Sequence, residues 1–193
     1  MVPFVALVMS EKYREPALGN AAIQFVLFFF VSHVPGCVTG RLSYVDVAWP
    51  WGLAIIGGLT LGFGTANTWR KVTIGVIYLF IGGRMGLGAL RALRTGRLNT
   101  EFPRYDYRKL VWKEHGVEHT GFELQVEVFK QAYANMALNV LPALLIGFYS
   151  SEEIHPCEIV GFVWTVLAYV WEHTADLQKK KFIRECSARG VEN

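Results

Sequence analysis

Two carboxylates near the C-terminus, Glu172 and Asp176, are the residues of this 193-residue chain with the clearest potential for chemistry. They are four residues apart, so a helix places both on one face. They follow an apolar run that ends at Trp171 and precede three consecutive lysines, 179–181. Ionisable groups at membrane depth are costly and usually face a cavity, a partner or a ligand. Two interpretations stay open: a pair that faces a ligand, and a helix end whose carboxylates are solvated among lipid headgroups.

A cation inside an apolar segment, Arg84, is the next candidate. An arginine within a membrane helix requires a carboxylate, a phosphate or water. We predict that Arg84 lies within salt-bridge or single-water reach of at least one of Asp46, Glu172 and Asp176. A structural ion pair and a contact to an anion or cofactor both fit this pattern.

The composition is that of a membrane protein. Hydrophobic residues make up 52% of the chain and charged residues 18%, against about 25% charged in soluble domains. The net charge of +3 is too small to indicate a nucleic-acid partner, and the three cysteines suggest neither a disulfide framework nor a zinc site. His115 and His119 have ligand spacing, but the neighbouring Gly116 favours a solvated turn, so no metal site is predicted.

Five segments approach the roughly 20 apolar residues that a bilayer requires. They cover residues 17–35, 44–64, 69–90, 128–149 and 156–175. Polar residues inside or beside these segments favour a bundle with a polar interior over separate anchors. The sequence therefore predicts an all-α integral membrane bundle of about five transmembrane helices, which forms a single membrane domain over residues 1–193.

The remaining polar chain is gathered in two places. Residues 91–123 alternate aromatic and basic side chains, which is typical of an amphipathic segment at the membrane interface or of a solvated connector. Residues 177–193 form a basic tail. Because Lys and Arg concentrate on the side that carries both regions, we predict that this side is cytoplasmic. The chain is then a multi-pass membrane protein, of the endoplasmic reticulum if it is eukaryotic.

Glycines recur inside the apolar segments at a spacing that matters for packing. Gly58 and Gly62, and then Gly82 and Gly86, are four residues apart. Small residues at this spacing let membrane helices approach closely. The pattern predicts that both pairs lie at helix–helix contacts.

Four short elements follow one another between residues 40 and 185. They are residues 44–52 (YVDVAWPWG), residues 83–84 and 90–91 (GR and LR) with 101–105 (EFPRY), residues 129–131 (FKQ) with 141–142 (LP), and residues 172–182 (EHTADLQKKKF). Their order and spacing resemble the steroid 5-alpha-reductase-like family of integral membrane proteins, in the branch called DUF1295.

The resemblance implies a helical membrane enzyme that reduces an activated C=C bond with NADPH. Hydride would go to the β-carbon of an enone while a protein acid, which the sequence does not identify, polarises the carbonyl. The expected partners are membrane lipid and a hydrophobic substrate such as a steroid or another lipid. The residues implied are Arg84, Arg91 and Arg104 for the cofactor phosphates, Glu172 and Asp176 for its ribose or amide groups, and Asp46 and Trp49 for the substrate cavity.

One departure from the family concerns the cofactor. After the last shared element the family continues with a G-L-W and R-H-P-N-Y segment, whereas this sequence ends KKKFIRECSARGVEN and contains no Arg-His-Pro. We therefore expect this chain by itself to bind NADPH weakly and to be incomplete for catalysis. Two alternatives remain: a non-catalytic lipid-binding or assembly protein that retains the bundle, and a transporter-like bundle, for which no inverted repeat is evident.

Overall fold

The computed structural model describes residues 2–117 and 120–188, apart from the side chain of residue 187. His119 and the last five residues of the basic tail therefore lie outside the described residues. The described chain is helical with no strand, which confirms the all-α prediction. It divides into two compact units, Met1–Ser150 and Ser151–Asn193.

The first unit contains eight α-helices, and two of the junctions between them are π-helical turns. The helices are α1 (Val2–Met9), α2 (Arg14–Phe28), α3 (Val34–Thr39), α4 (Val45–Phe63), α5 (Thr68–Arg94), α6 (Pro103–Glu114), α7 (Thr120–Tyr133) and α8 (Val140–Gly147). The π-helical turns are Phe29–His33 and Ala134–Leu138, and a 3-10 turn covers Arg97–Asn99. The second unit is built on one helix, α9 (Pro156–Ala188).

Three helical stretches in the described chain are long and apolar enough to cross a membrane: Arg14–Thr39, Val45–Phe63 and Thr68–Arg94. The protein is thus a helical membrane bundle. The segment expected over residues 128–149 is divided between the end of α7, a π-helical turn and α8, and the segment expected over 156–175 lies within α9. The number of five crossings stays a prediction.

Helices α4 and α5 form the most extensive helix–helix contact of the first unit. A Cβ added at Gly82 would lie 2.5 Å from the backbone nitrogen of Ala54, and one at Gly86 would lie 2.8 Å from the ring of Trp51. The predicted role of the pair Gly82 and Gly86 is confirmed. The backbones can approach this closely because neither glycine carries a side chain.

The other predicted glycine pair was assigned to the wrong face of α4. A Cβ at Gly58 or Gly62 would meet no atom of the described residues within 4 Å, whereas one at Gly57 would lie 2.7 Å from the carbonyl oxygen of Gly75. One residue along a helix is a rotation of about 100°. The contact therefore uses the glycine that precedes the predicted pair.

Buried amide side chains join α2 to α4 and to the second π-helical turn. Asn20, Gln24 and Asn135 are all at most 1% exposed. The Gln24 Nε2 donates to the carbonyl oxygen of Gly52 at 2.9 Å, and the Asn135 Nδ2 donates to that of Trp49 at 3.1 Å. Because buried polar groups are costly unless they are hydrogen-bonded, these contacts fix how α2 and the π-helical turn pack on the first half of α4.

Candidate functional site

A pocket of about 600 Å³ lies beside the first half of α4, between the end of α5 and the start of α6. Its volume is in the range of small-molecule sites. Its walls are mostly apolar, and polar groups converge at one end. The principal apolar lining residues are Trp49, Pro50, Met85 and Phe102, and the polar ones are Asp46, Arg104, Tyr105 and Gln131.

Asp46, in the first turn of α4, organises the polar end of the pocket. Its Oδ2 accepts a hydrogen bond from Nη2 of Arg104 in an ion pair, and its Oδ1 accepts one from the Tyr105 hydroxyl at 2.8 Å. The Arg104 guanidinium also lies 4.9 Å from the centre of the Tyr105 ring, within the range of a cation–π contact. Both carboxylate oxygens therefore hold a donor in place.

The Arg104 side chain keeps donors available for a ligand. It is 64% exposed, whereas the Asp46 side chain is 22% exposed. A guanidinium carries five N–H donors in a rigid fork, and the ion pair with Asp46 occupies the Nη2 end. The remaining N–H groups can bind an oxygen that enters the pocket.

The Tyr105 hydroxyl is a neutral donor at physiological pH. Burial raises its pKa, and the neighbouring Asp46 charge and hydrogen bond raise it further. A raised pKa means that the phenol keeps its proton well above neutral pH. Tyr105 thus donates to Asp46 without adding a second negative charge to the pocket.

A second polar cluster holds α6 in place, and we call it the Glu101 latch: Glu101, Leu42, Ser43 and Lys109. Glu101 accepts hydrogen bonds from the backbone N–H groups of Leu42 and Ser43 at 2.8 and 2.9 Å, and from the Ser43 hydroxyl. Lys109 Nζ lies 2.7 Å from Glu101 and donates equally closely to the carbonyl oxygen of Gly40. The latch ties the chain around residues 101–109 to the turn before α4, so that Arg104 and Tyr105 reach Asp46.

Acid is expected to weaken the latch. Burial raises the pKa of Glu101, but the hydrogen bonds from Lys109, Ser43 and Leu42 outweigh burial and hold the pKa below its ordinary value of 4.5. A carboxyl group with a lowered pKa in the folded state stabilises that state above its unfolded pKa. The contribution is therefore fully present above pH 4.5 and is lost as the pH falls through the lowered value.

Glu101→Gln is expected to loosen the connector between α5 and α6 at neutral pH. An amide NH₂ would replace an oxygen that now faces backbone or lysine donors, and the ion pair with Lys109 would be lost. Hydrogen bonds to charged groups contribute about 1.5–3 kcal/mol, so trypsin should cleave after Arg97 about tenfold faster or more. Glu114→Gln, an exposed carboxylate at the end of α6, is the control. Equal cleavage rates in the two variants would contradict the role of the latch.

The structure brings together three of the residues singled out in the sequence. Asp46, Trp49 and Arg104 line one pocket, although Asp46 and Arg104 are 58 residues apart. Arg84 and Arg91, seven residues apart on α5, share another face of that helix. By helix geometry this face is rotated about a third of a turn from the one that lines the pocket.

Glu172 and Asp176 lie on α9, in the second unit, and their four-residue spacing places them on one helix face. The pairing of Arg84 with a carboxylate stays a prediction. Sequence analysis did not assign Tyr105, Gln131 or Glu101 to a site. Each lies within one of the shared elements. The Glu101-Phe-Pro-Arg-Tyr105 stretch could have indicated Glu101 and Tyr105, because it places a carboxylate two residues before the proline that begins α6.

Most basic residues around α6 are engaged within the protein. Arg41 Nη1 donates to the carbonyl oxygen of Leu98 at 2.9 Å, Arg108 pairs with Glu127 at 3.0 Å, and Lys109 belongs to the latch. In the last turn of α5, Arg91 and Arg94 are exposed, and their side chains make no bond to another described residue. These two arginines can bind phosphate oxygens.

These features define a class: a helical membrane bundle with a ligand-sized pocket where apolar walls meet a fixed ion pair. The family model for DUF1295, described as a protein of unknown function, matches residues 28–193. The chain therefore belongs to the DUF1295 family. Comparison with curated proteins and with solved structures gives no match.

Proposed function

We propose that this chain provides the membrane-embedded substrate site of a reductase that saturates the C=C bond of a lipid-like enone with NADPH. One observation carries the proposal: a single pocket joins apolar walls to the Asp46–Arg104–Tyr105 group. Trp49, Pro50 and Met85 suit the hydrocarbon skeleton of a steroid or another lipid. The carbonyl oxygen of such a substrate needs a hydrogen-bond donor at one end of the cavity. The polar end of the pocket supplies the Arg104 guanidinium as that donor.

Arg104 is the proposed donor to the substrate carbonyl. Asp46 holds the guanidinium at the pocket, and the N–H groups that face away from Asp46 donate to the oxygen. A fixed cation beside the carbonyl withdraws electron density from the β-carbon and stabilises the negative charge that develops on oxygen. Tyr105 keeps Asp46 oriented, because its hydroxyl binds the second carboxylate oxygen.

The cofactor contribution is proposed from the family resemblance and from the arginines. NADPH, when bound, supplies the hydride for the β-carbon. Arg91 and Arg94 fit its phosphates because their guanidinium groups are exposed at the end of α5, on the same helix as the pocket wall. Arg84, Glu172 and Asp176 remain proposed contacts to phosphate, ribose or amide groups. Since Arg41, Arg108 and Lys109 are engaged internally, we expect weak binding of NADPH.

Arg104→Gln tests the substrate site. In nanodiscs, a photoreactive lipid enone should bind this variant about tenfold more weakly or worse, because a charge-assisted hydrogen bond to the carbonyl is lost. Arg94→Gln, which removes an equal charge outside the pocket, should leave enone affinity unchanged. If both variants bind the enone like the unmodified chain, Arg104 does not recognise the carbonyl.

A second candidate function is a lipid-binding or assembly protein that retains the bundle without the reaction. The observation that favours it is the internal engagement of Arg108 and Lys109 with Glu127 and Glu101, which removes two cations from any phosphate site. Incubation of the bound enone with excess NADPH, on a chain that also carries the Arg-His-Pro segment of a family relative, separates the two functions. The reductase gives a product with two more hydrogens, one from the cofactor as hydride and one as a proton, whereas the second function returns the enone unchanged.

We also propose that the protein crosses the membrane five times, with residues 91–123 and the C-terminus in the cytoplasm, and in a eukaryotic cell resides in the endoplasmic reticulum. The support is the concentration of Lys and Arg on one side. In sealed microsomes with the cytoplasmic face outward, protease should remove a C-terminal tag and spare an N-terminal one. Protection of the C-terminal tag would reverse the orientation, and cleavage of both tags would exclude an odd number of crossings.

A further inference from the structure

A second groove, of about 710 Å³, lies towards the opposite end of α4 from the pocket, between α2, α4 and α8. Its walls are predominantly apolar, with Ile23, Ile56, Leu59, Val140 and Leu144 among the lining residues. The part contributed by α2 precedes the residues matched by the family model, which begin at residue 28. This groove plays no part in the function proposed above.

Charged groups stand at the mouth of this groove. Glu11, Lys12 and Glu15 all line it, which gives two carboxylates and one ammonium group. Glu11 and Glu15 are exposed, and their side chains make no bond to another described residue. The neighbouring Arg14 directs its Nε to the carbonyl oxygen of Val8 at 2.9 Å. The carboxylates are therefore available to a cation from outside the protein.

Lys12 supplies the ammonium group at the mouth. Its Nζ lies 3.3 Å from the Ser150 hydroxyl and 5.6 and 5.9 Å from the ring centres of Tyr13 and Tyr149. An ammonium group has three donors, so this position leaves donors for a phosphate oxygen. The mouth thus presents anion, cation and anion along one turn of chain.

We propose that this groove binds one phospholipid with a zwitterionic amine headgroup. The headgroup ammonium pairs with the carboxylate of Glu11 or Glu15, the phosphate contacts Lys12, and one acyl chain occupies the apolar groove. Glu15 and Ile23 are eight residues apart, about 12 Å along a helix, so the groove runs through most of one leaflet of a hydrocarbon core about 30 Å thick. An anionic headgroup without an ammonium has no group that pairs with Glu11 or Glu15 and binds less well.

Gly19 lines the groove and leaves space in it, because it has no side chain. It lies on α2 between the mouth and Ile23, and a Cβ added there would meet nothing within 4 Å. A side chain that replaces the glycine therefore begins in open space at the groove. Gly19→Leu should fill the acyl-chain site while leaving the fold intact.

The first experiment uses a phosphatidylethanolamine with a photoreactive acyl chain, in nanodiscs of the full chain. Peptides of α2 and α4 that line the groove should be labelled in the unmodified protein, and Gly19→Leu should reduce this labelling about tenfold. Gly62→Leu is the matched control, because Gly62 is also open within 4 Å but does not line the groove. Labelling that is absent from these peptides, as it would be if another helix covered the groove, overturns the proposal. Labelling unaffected by Gly19→Leu also overturns it.

The second experiment tests the headgroup. A phosphatidylglycerol with the same photoreactive chain should label the groove less than phosphatidylethanolamine does. The double substitution Glu11→Gln and Glu15→Gln should reduce that preference up to about fivefold, since each exposed ion pair contributes little. Equal labelling by the two lipids in the unmodified chain would contradict recognition of the amine headgroup.

Discussion

Gly82→Ala should destabilise the bundle by about 1–3 kcal/mol, the usual cost of overpacking. The new Cβ would lie 2.5 Å from the Ala54 nitrogen and 2.6 Å from the Pro50 oxygen. Both are backbone atoms, so α4 and α5 must separate to admit a methyl group. The separation would also displace Met85, one turn further along α5, from the wall of the pocket.

The neighbouring glycine provides a matched control for this substitution. A Cβ at Gly83 would meet nothing within 4 Å, and alanine is favoured over glycine within a helix by about 0.5–1 kcal/mol. Gly83→Ala should therefore be neutral or stabilising. Thermal unfolding in detergent measures both variants. Equal midpoints for Gly82→Ala and Gly83→Ala would contradict close packing at Gly82.

Asn135→Ala should have a comparably large effect, of about 2 kcal/mol or more. The amide of Asn135 donates to the carbonyl oxygen of Trp49, and its oxygen accepts a hydrogen bond from Asn139 at 2.7 Å. Its removal leaves buried groups unpaired, at about 1–3 kcal/mol each, and opens a cavity. Membrane hydrogen bonds often contribute less, about 0.6 kcal/mol on average, but Asn135 is fully buried.

Asn99→Ala is the control for this second variant, because Asn99 is an exposed asparagine in the connector after α5. Unfolding midpoints in detergent should fall for Asn135→Ala and stay unchanged for Asn99→Ala. An unchanged midpoint for Asn135→Ala would show that the amide network does not hold α2 and the π-helical turn against α4.

The helices that could be predicted from the sequence are those with a continuous apolar pattern. Residues 44–64 and 69–90 correspond to α4 and α5, because their apolar pattern continues on both sides of isolated charges such as Arg84. The interruption of the segment over 128–149 could not be predicted by hydropathy. It is a π-helical turn, and Asn135 within this turn donates to the Trp49 carbonyl oxygen of α4.

The candidate site was predictable only in part, since its contacts join distant positions. Asp46, Trp49 and Arg104 were identified from short shared elements, but the ion pair between Asp46 and Arg104 was not predicted. Asp46 and Tyr105 are 59 residues apart, and Ser43 and Glu101 are 58 apart, so no local spacing indicates either contact. The predicted use of Gly58 was one residue from the contact at Gly57, because an apolar helix contains no polar stripe that fixes its rotation.

The position at which a photoreactive lipid enone attaches to the unmodified chain tests the central claim most directly. The substrate site proposed here predicts that cross-links concentrate on Trp49, Met85 and Phe102, the apolar walls beside Arg104. An excess of the same enone without the photoreactive group should remove these cross-links, whereas the saturated lipid without a carbonyl should compete poorly. Cross-links spread over the lipid-facing surfaces of α2 and α5, or equal competition by the carbonyl-free lipid, would contradict the proposed site.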